Sequence, residues 1–202
     1  YKHTSLYSLI ADVDNYSRFL PYCQESEITE WSGKDKDGKS WPAHADLTVG
    51  WGGYEEKFTS TLFCVPNSVV EALSGDAQTT LPRNDLHHYS SISTPPTAVN
   101  VFKSLSTKWT VKPFHYKPLA GRPQTDSAIH PARDQTEVHL KIVFQFSNPL
   151  YAGLSNAVAP RVAGLVIEAF ERRARQLLDG GGVGLNEKHS SENTIVRQKA
   201  GM

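Results

Sequence analysis

Several ionisable side chains occur in segments where polar and apolar residues alternate. They are His44, Asp46, Glu55, Glu56, Glu71 and His139. A hydrolase or cyclase needs a nucleophile beside a base, or a pair of carboxylates on an apolar wall. Asp46, Glu55 and the two histidines instead fall on the polar side of the alternation, so we expect water to surround them.

Motifs for covalent or metal chemistry are missing from the sequence. It contains neither Gly-x-Ser-x-Gly nor His-Glu-x-x-His, and His87-His88 lies in a polar, turn-rich segment. The two cysteines, Cys23 and Cys64, match no zinc spacing and are too few for a disulfide framework. We therefore predict buried free thiols, no catalytic residue, no metal site and no cofactor.

Composition narrows the class of protein further. The 202 residues have a formal net charge of zero and a pI near 7.3, which gives no sign of a nucleic-acid binder. The hydrophobic content of 39% suits a folded globular domain. There is no apolar run of the roughly 18 residues that a transmembrane helix needs.

Two kinds of periodicity divide the chain into elements. Period-two alternation predicts strands over residues 26–31, 43–51, 54–65, 68–73, 103–113 and 137–146. Residues 43–65 form a hairpin around Gly52-Gly53, with Trp51 beside its tip. Helical spacing predicts helices over residues 5–11, 16–20 and 150–178. Pro160 should kink the last helix or break it near Ala157.

The remaining segments are rich in turn-forming residues. Residues 76–103 and 115–135 have the composition of inserted loops, and we expect the first to be mobile. A glycine run follows residue 178, and residues 179–202 have the composition of a disordered tail. The folded domain is expected to span residues 1–178.

An antiparallel sheet with one long helix must bury the apolar stripe of that helix against its own apolar face. This predicts an α+β fold in which a curved antiparallel sheet wraps around a long C-terminal helix, with two short helices at the N-terminus. Small residues on the inward strand faces, such as Ala43, Ala45 and Thr107, would leave space between the layers. Space that side chains do not fill becomes a ligand cavity.

Five segments in this order resemble a known family: LIADVDNYSRFLPYC, ADLTVGWGGYEEKFTS, FKSLSTKWTVKPF, TEVHLKIVFQFSNPLY and AFERRARQL. The chain is similar to the coenzyme-Q-binding START-domain proteins of mitochondria, within the helix-grip, polyketide-cyclase-like superfamily. The resemblance covers residues 1–178 apart from the two insertions. It also suggests that the first strand of the family precedes Tyr1.

This resemblance implies a START-like helix-grip fold and a non-catalytic function. The expected ligand is ubiquinone or a polyprenylated precursor. The expected role is that of a lipid chaperone or carrier in respiratory electron transport and ubiquinone synthesis. The expected location is the matrix side of the mitochondrial inner membrane, in peripheral contact with the bilayer. The expected partners are respiratory or ubiquinone-biosynthesis complexes, and no nucleic acid is expected as a partner.

Two groups of residues are candidates for such a site. The cavity candidates share an inward apolar phase, and each is either ordinary core or a ligand contact: Leu47, Val49, Phe58, Leu62, Trp109, Leu140, Ile142, Phe144, Leu154, Val158, Val162, Leu165 and Val166. The entrance and membrane-contact candidates are Phe19, Leu20, Pro21, Tyr22 and Trp51. Trp51 either closes the core or anchors the chain at a lipid surface, and residues 19–22 form either a packed lid or a gate.

Two other functions remain open at the level of sequence. One is a polyketide cyclase or aromatase, which would need polar groups converging inside the fold. The other is a non-catalytic adaptor of a biosynthetic complex. In such an adaptor, side chains would fill the interior of the fold completely.

Overall fold

A computed structural model describes residues 1–51, 53–93, 101–114 and 135–179. Its centre is an antiparallel sheet of six strands that follow one another in chain order. The strands are β1 (Cys23–Trp31), β2 (Pro42–Trp51), β3 (Tyr54–Val65), β4 (Val69–Gly75), β5 (Phe102–Phe114) and β6 (Gln135–Phe146). Helix α1 (His3–Ala11) and a 3-10 helix (Val13–Arg18) precede the sheet, and α2 (Pro149–Ala174) follows it. The predicted α+β architecture is confirmed.

Strand register fixes which side chains share the inward face. Leu62 pairs with Ala72, and Trp109 pairs with Leu140, so the alternation predicted from sequence continues from strand to strand. This inward face packs against α1 and the last turns of α2, where Ala169, Phe170 and Ala174 are buried. The long helix therefore lies across the sheet as expected.

Two helix predictions need correction. The second short element is a 3-10 helix that begins at Val13, not an α-helix over residues 16–20. Its position is fixed by Asp14, whose carboxylate accepts the backbone N–H of Ile28 on β1 at 2.6 Å. Helix α2 runs through Pro160, so a break near Ala157 is wrong; its last part is a π-helical turn, Arg175–Asp179.

Residues 76–93, called the strap below, pack on the sheet rather than hanging free. Tyr89 in the strap is 5% exposed and meets Phe63 edge to face, with ring centroids 5.2 Å apart. Its hydroxyl accepts the backbone N–H of Cys64 at 2.8 Å and donates to the carbonyl of Pro42 at 3.0 Å. Polar composition concealed this anchor, and the expected mobility of the segment stays a prediction. Residues 94–100 and 115–134 and the predicted tail from residue 180 lie outside the described residues.

Candidate functional site

One half of the interior, called the closed half, is filled by aromatic rings. Phe170 of α2 meets Trp109 at 4.7 Å, Phe19 at 5.0 Å and Tyr16 at 5.4 Å between ring centroids. Tyr7 of α1 meets Trp41 edge to face at 5.3 Å and is fully buried. Such edge-to-face contacts add stability beyond the area they bury. This end of the molecule has the close packing of an ordinary core.

The other half, called the open half, is lined by aliphatic and small side chains that stay partly accessible. It lies toward the β2–β3 hairpin and the start of α2. Its described walls are Ala45, Leu47, Leu62, Ala72, Leu105, Thr107, Ile142 and Val162, of which Leu47, Leu105, Thr107, Ile142 and Val162 are only half-buried. Among the described residues, these inward apolar side chains therefore pack less closely than those of the closed half.

Four phenylalanines surround the outer end of the open half. Phe102 meets Phe58 at 5.1 Å, Phe146 at 5.2 Å and Phe144 at 6.1 Å between centroids. We call Phe58, Phe102, Phe144 and Phe146 the phenylalanine collar. Phe102 joins it because the β5–β6 register shifts between Phe102 and Ser104. Phe102 was expected in the insertion over residues 76–103, because a local bulge leaves no clear signal in an alternation pattern.

The predicted cavity residues divide between these regions. Trp109, Leu140 and Val166 belong to or pack against the closed half, and Leu62 and Leu47 belong to a smaller cluster around Ala45. Phe58 and Phe144 are in the collar, while Val49, Ile142 and Val162 are half-buried. Most of the set therefore shares one interior, of which only part is tightly packed.

Leu165 is the member of the set that the structure places differently. Its side chain is 37% exposed, whereas Val162, Val166, Ala169 and Phe170 form the stripe that faces the sheet. Leu165 lies three residues after Val162 and four before Ala169, which places it at the edge of that stripe, where its side chain stays accessible. The side chains of Leu154, Val158 and Trp51 lie outside the part of the chain that is described.

The entrance candidates divide between the two halves. The backbone N–H of Gly50 donates to the carbonyl of Tyr22 at 2.9 Å, which joins Tyr22 to the hairpin carrying Trp51. Tyr22 has φ of 65° and is 55% exposed, so the left-handed turn after Pro21 presents its ring to solvent, and Pro21 is half-buried beside it. Leu20 and Phe19 instead pack against the closed half, where Phe19 contacts Phe170 as a lid would.

Two polar groups on the outer face of the sheet are more buried than their alternation predicted. His44 is only 3% exposed, and its Nδ1 lies 2.8 Å from the carboxylate of Glu30. Ser93 at the end of the strap donates both its hydroxyl and its backbone N–H to Glu30, and together with His44 it lowers the pKa of Glu30 to about 2. The prediction of a solvated His44 is wrong because the strap covers this face.

Glu71 gives the second example. It is 1% exposed, and its carboxylate accepts hydrogen bonds from Thr79 and Thr80 of the strap, with Lys108 Nζ 3.6 Å away. A buried carboxylate persists where several donors surround it. This network fixes the strap to the outer face and does not point into the interior.

Burial raises the pKa values of both thiols, Cys23 and Cys64, to about 11, and both are free as predicted.

The remaining ionisable pairs on the described strands lie on the outer face of the sheet. Both histidine–carboxylate pairs in the described part, Glu30–His44 and Glu137–His139, lie on the outer face of the sheet. A groove of about 410 Å³ also lies there, among Glu25, Asp46 and Lys57. Within the described residues no group of three or more potential ligands is arranged to hold a metal ion. None of their helices is long and apolar enough to cross a bilayer.

Comparison with known proteins decides the family. A model of the family described as polyketide cyclase / dehydrase and lipid transport matches residues 1–171. The chain belongs to this family. The match thus spans every described element except the last turns of α2. The resemblance inferred from sequence is confirmed.

Proteins that are similar to this chain carry different names. The mitochondrial coenzyme Q-binding protein coq10 of Schizosaccharomyces pombe is 30% identical over 87% of this chain and 81% of its own length. The ribosome association toxin RatA of Pseudomonas aeruginosa is 24% identical over 88% of this chain and 90% of its own. A START superfamily protein from Mycobacterium smegmatis matches the fold with a TM-score of 0.57 at 14% identity, covering 87% of this chain and 91% of that one.

Proposed function

We propose that this chain binds coenzyme Q, or a polyprenylated precursor of it, in the open half of its interior. The observation that carries the proposal is the contrast between a fully packed closed half and an aliphatic open half whose walls stay accessible. A polyprenyl tail needs only such walls, because each buried methylene contributes about 0.8 kcal/mol. The coenzyme Q-binding name of the relative at 30% identity supports this choice of lipid.

A carrier fits this interior better than an enzyme does. The family description includes cyclases and dehydrases. Catalysis on a bound substrate would need an acid, base or nucleophile aimed at it. The buried polar groups on the described inward face of the open half are hydroxyls. Glu56 is in the inward phase of β3 but is only half-buried, near the hairpin, and the histidine–carboxylate pairs lie on the outer face. The proposed role is therefore that of a lipid chaperone or carrier that supports respiratory electron transport and ubiquinone synthesis, without a catalytic step.

The collar end is the proposed contact with the membrane. Quinone dissolves in the bilayer, so a carrier must bring its entrance to the lipid surface to collect it. Tyr22 is exposed at this end, and tyrosine rings suit the interface because they combine an apolar body with a polar tip. The mitochondrial names of relatives support a mitochondrial location, and the matrix side of the inner membrane is our proposal within it.

The bound lipid tests the function directly. Protein purified from a host that makes ubiquinone should carry a polyprenylated benzoquinone, which mass spectrometry of extracted lipid detects. Val162→Trp, which fills the open half, should lose it, whereas the matched Ile167→Trp on the exposed side of the same helix should keep it. Recovery of phospholipid or fatty acid alone would contradict the proposal.

Liposome flotation tests the membrane contact. Tyr22→Asn removes the exposed ring while keeping a residue that tolerates positive φ. It should weaken binding to liposomes. Trp31→Ser is the matched control, because Trp31 is 53% exposed but lies at the opposite end of β1. Equal losses in both variants would contradict an entrance at the collar end.

A further inference from the structure

Two serines lie next to each other on the inward face of the sheet. Ser60 on β3 pairs with Ala45, and Ser74 on β4 pairs with Leu105. Both serines lie in phase with Leu62 and Ala72, which line the open half. They are 3% and 4% exposed, and their Oγ atoms lie 2.8 Å apart. This places a buried polar pair in a wall whose other buried side chains are apolar.

The pair has one more hydrogen-bond donor than its own contact uses. Two serine hydroxyls carry two O–H groups, and a single bond between the oxygens uses one of them. Among the described residues no acceptor lies within reach of the second O–H. Leaving a buried donor unsatisfied costs enough free energy that native proteins nearly always supply a partner. An acceptor from outside the described chain is therefore expected here.

The accessible part of the interior borders this pair. Leu105 lies directly beside Ser74 on β5 and is half-buried, as is Thr107 at the next inward position. Phe58 of the collar is the inward neighbour of Ser60 along β3. A ligand in the open half that passes the collar would reach the serine pair first among the inward polar groups of β3 and β4.

We propose that Ser60 and Ser74 form the site for the oxygen-bearing head of the bound lipid. The spare O–H donates to a ring carbonyl oxygen, while the aliphatic walls contact the tail. This inference rests on the proposed function and adds to it: the walls alone hold any long hydrocarbon, and the serine pair selects one whose head carries an acceptor oxygen. Selection arises because a head without oxygen leaves the buried donor unpaired.

Two probes with matched tails separate head recognition from tail binding. Decylubiquinone carries the acceptor oxygens, and decylbenzene carries none. Quenching of tryptophan fluorescence measures the affinity for decylubiquinone, and displacement of decylubiquinone measures the affinity for decylbenzene. The double variant Ser60→Ala, Ser74→Ala should bind decylubiquinone about five- to tenfold more weakly, the effect of one hydrogen bond. Its affinity for decylbenzene should not fall. Ser106→Ala, a half-buried serine on the outer face of β5, is the control and should bind both probes normally.

Infrared spectroscopy gives an independent readout on the unmodified protein. A carbonyl that accepts a hydrogen bond absorbs at lower frequency than the same carbonyl in alkane, so the quinone band should be lowered in the wild type and return toward the alkane value in the double variant. An unshifted carbonyl band in the wild type would contradict the inference even if the double variant does not fold.

Three results would overturn the inference in distinguishable ways. A wild-type carbonyl band at the alkane position, with quinone bound, would mean that the spare O–H bonds to water. Equal affinity of wild type and double variant for decylubiquinone would remove the serine pair from head recognition and leave the proposed function standing. Failure of the wild type to bind decylubiquinone at all, while it binds decylbenzene or phospholipid, would overturn the proposed function and this inference with it.

Discussion

The closed and open halves of the interior are built from the same sheet and the same helix, yet their side chains meet in different ways. In the closed half, rings from α1, the 3-10 helix, β5 and α2 contact one another, and Phe170 alone touches three of them. In the open half, the described walls are mostly aliphatic and half-buried. The difference indicates that the fold's stability rests mainly on one end, which leaves the other end free to exchange a ligand.

The largest effect should follow from removing the ring at the centre of the closed half. Phe170→Ala should lower the free energy of unfolding by about 3–5 kcal/mol, because it leaves a cavity among Tyr16, Phe19 and Trp109. Urea denaturation measures the change. A loss below about 1 kcal/mol, as expected for a site that can collapse or is already loose, would show that the two halves do not differ in packing.

The strap should contribute to the closed half from outside. Tyr89→Phe keeps the ring against Phe63 but leaves the N–H of Cys64 and the carbonyl of Pro42 without their shared partner. We expect a loss of about 1–3 kcal/mol in unfolding free energy. Tyr22→Phe, which removes an exposed hydroxyl, is the control and should change stability little. Equal stabilities for the two variants would contradict the role of the Tyr89 hydroxyl in anchoring the strap.

Filling the open half should affect binding more than folding. Val162→Trp should weaken quinone binding about tenfold or more, because added volume in an occupied space costs roughly 1–3 kcal/mol. Its unfolding free energy without ligand should change by less than that of Phe170→Ala. Fluorescence titration and urea denaturation give the two numbers. A variant that binds quinone normally would show that this part of α2 does not border the ligand.

The smallest effect concerns the Glu30 contact with the strap at low pH. The pKa of Glu30 is lowered from its ordinary 4.5 to about 2 by Ser93 and His44. A depressed pKa in the folded state gives stability that is present above pH 4.5 and is lost as the pH falls toward 2. Ser93→Ala should therefore flatten the acid limb of the stability profile. An unchanged profile would mean that this exposed contact does not hold the strap.

Alternation and helical spacing predicted the sheet, the long helix and most of the inward set, because burial on one face imposes those periods. The same reasoning failed where another segment covers the outer face. His44 was predicted to be solvated and Glu71 was not predicted to be buried, but the strap buries both. Nothing in a strand's own pattern records a long-range cover. The serine pair was missed for a related reason, since two separate hydroxyls become a pair only through β3–β4 register.

Photochemical cross-linking tests the central claim most directly, because it reports where the quinone lies without altering the protein. A ubiquinone analogue with a photoreactive group on its tail, irradiated in complex with the wild-type chain, should attach to open-half residues such as Leu47, Ile142 and Val162, as peptide mass spectrometry would locate. Unlabelled ubiquinone should compete for these positions. Competed labelling confined to closed-half residues such as Tyr7 and Trp41, or to the outer face of the sheet, would contradict the account.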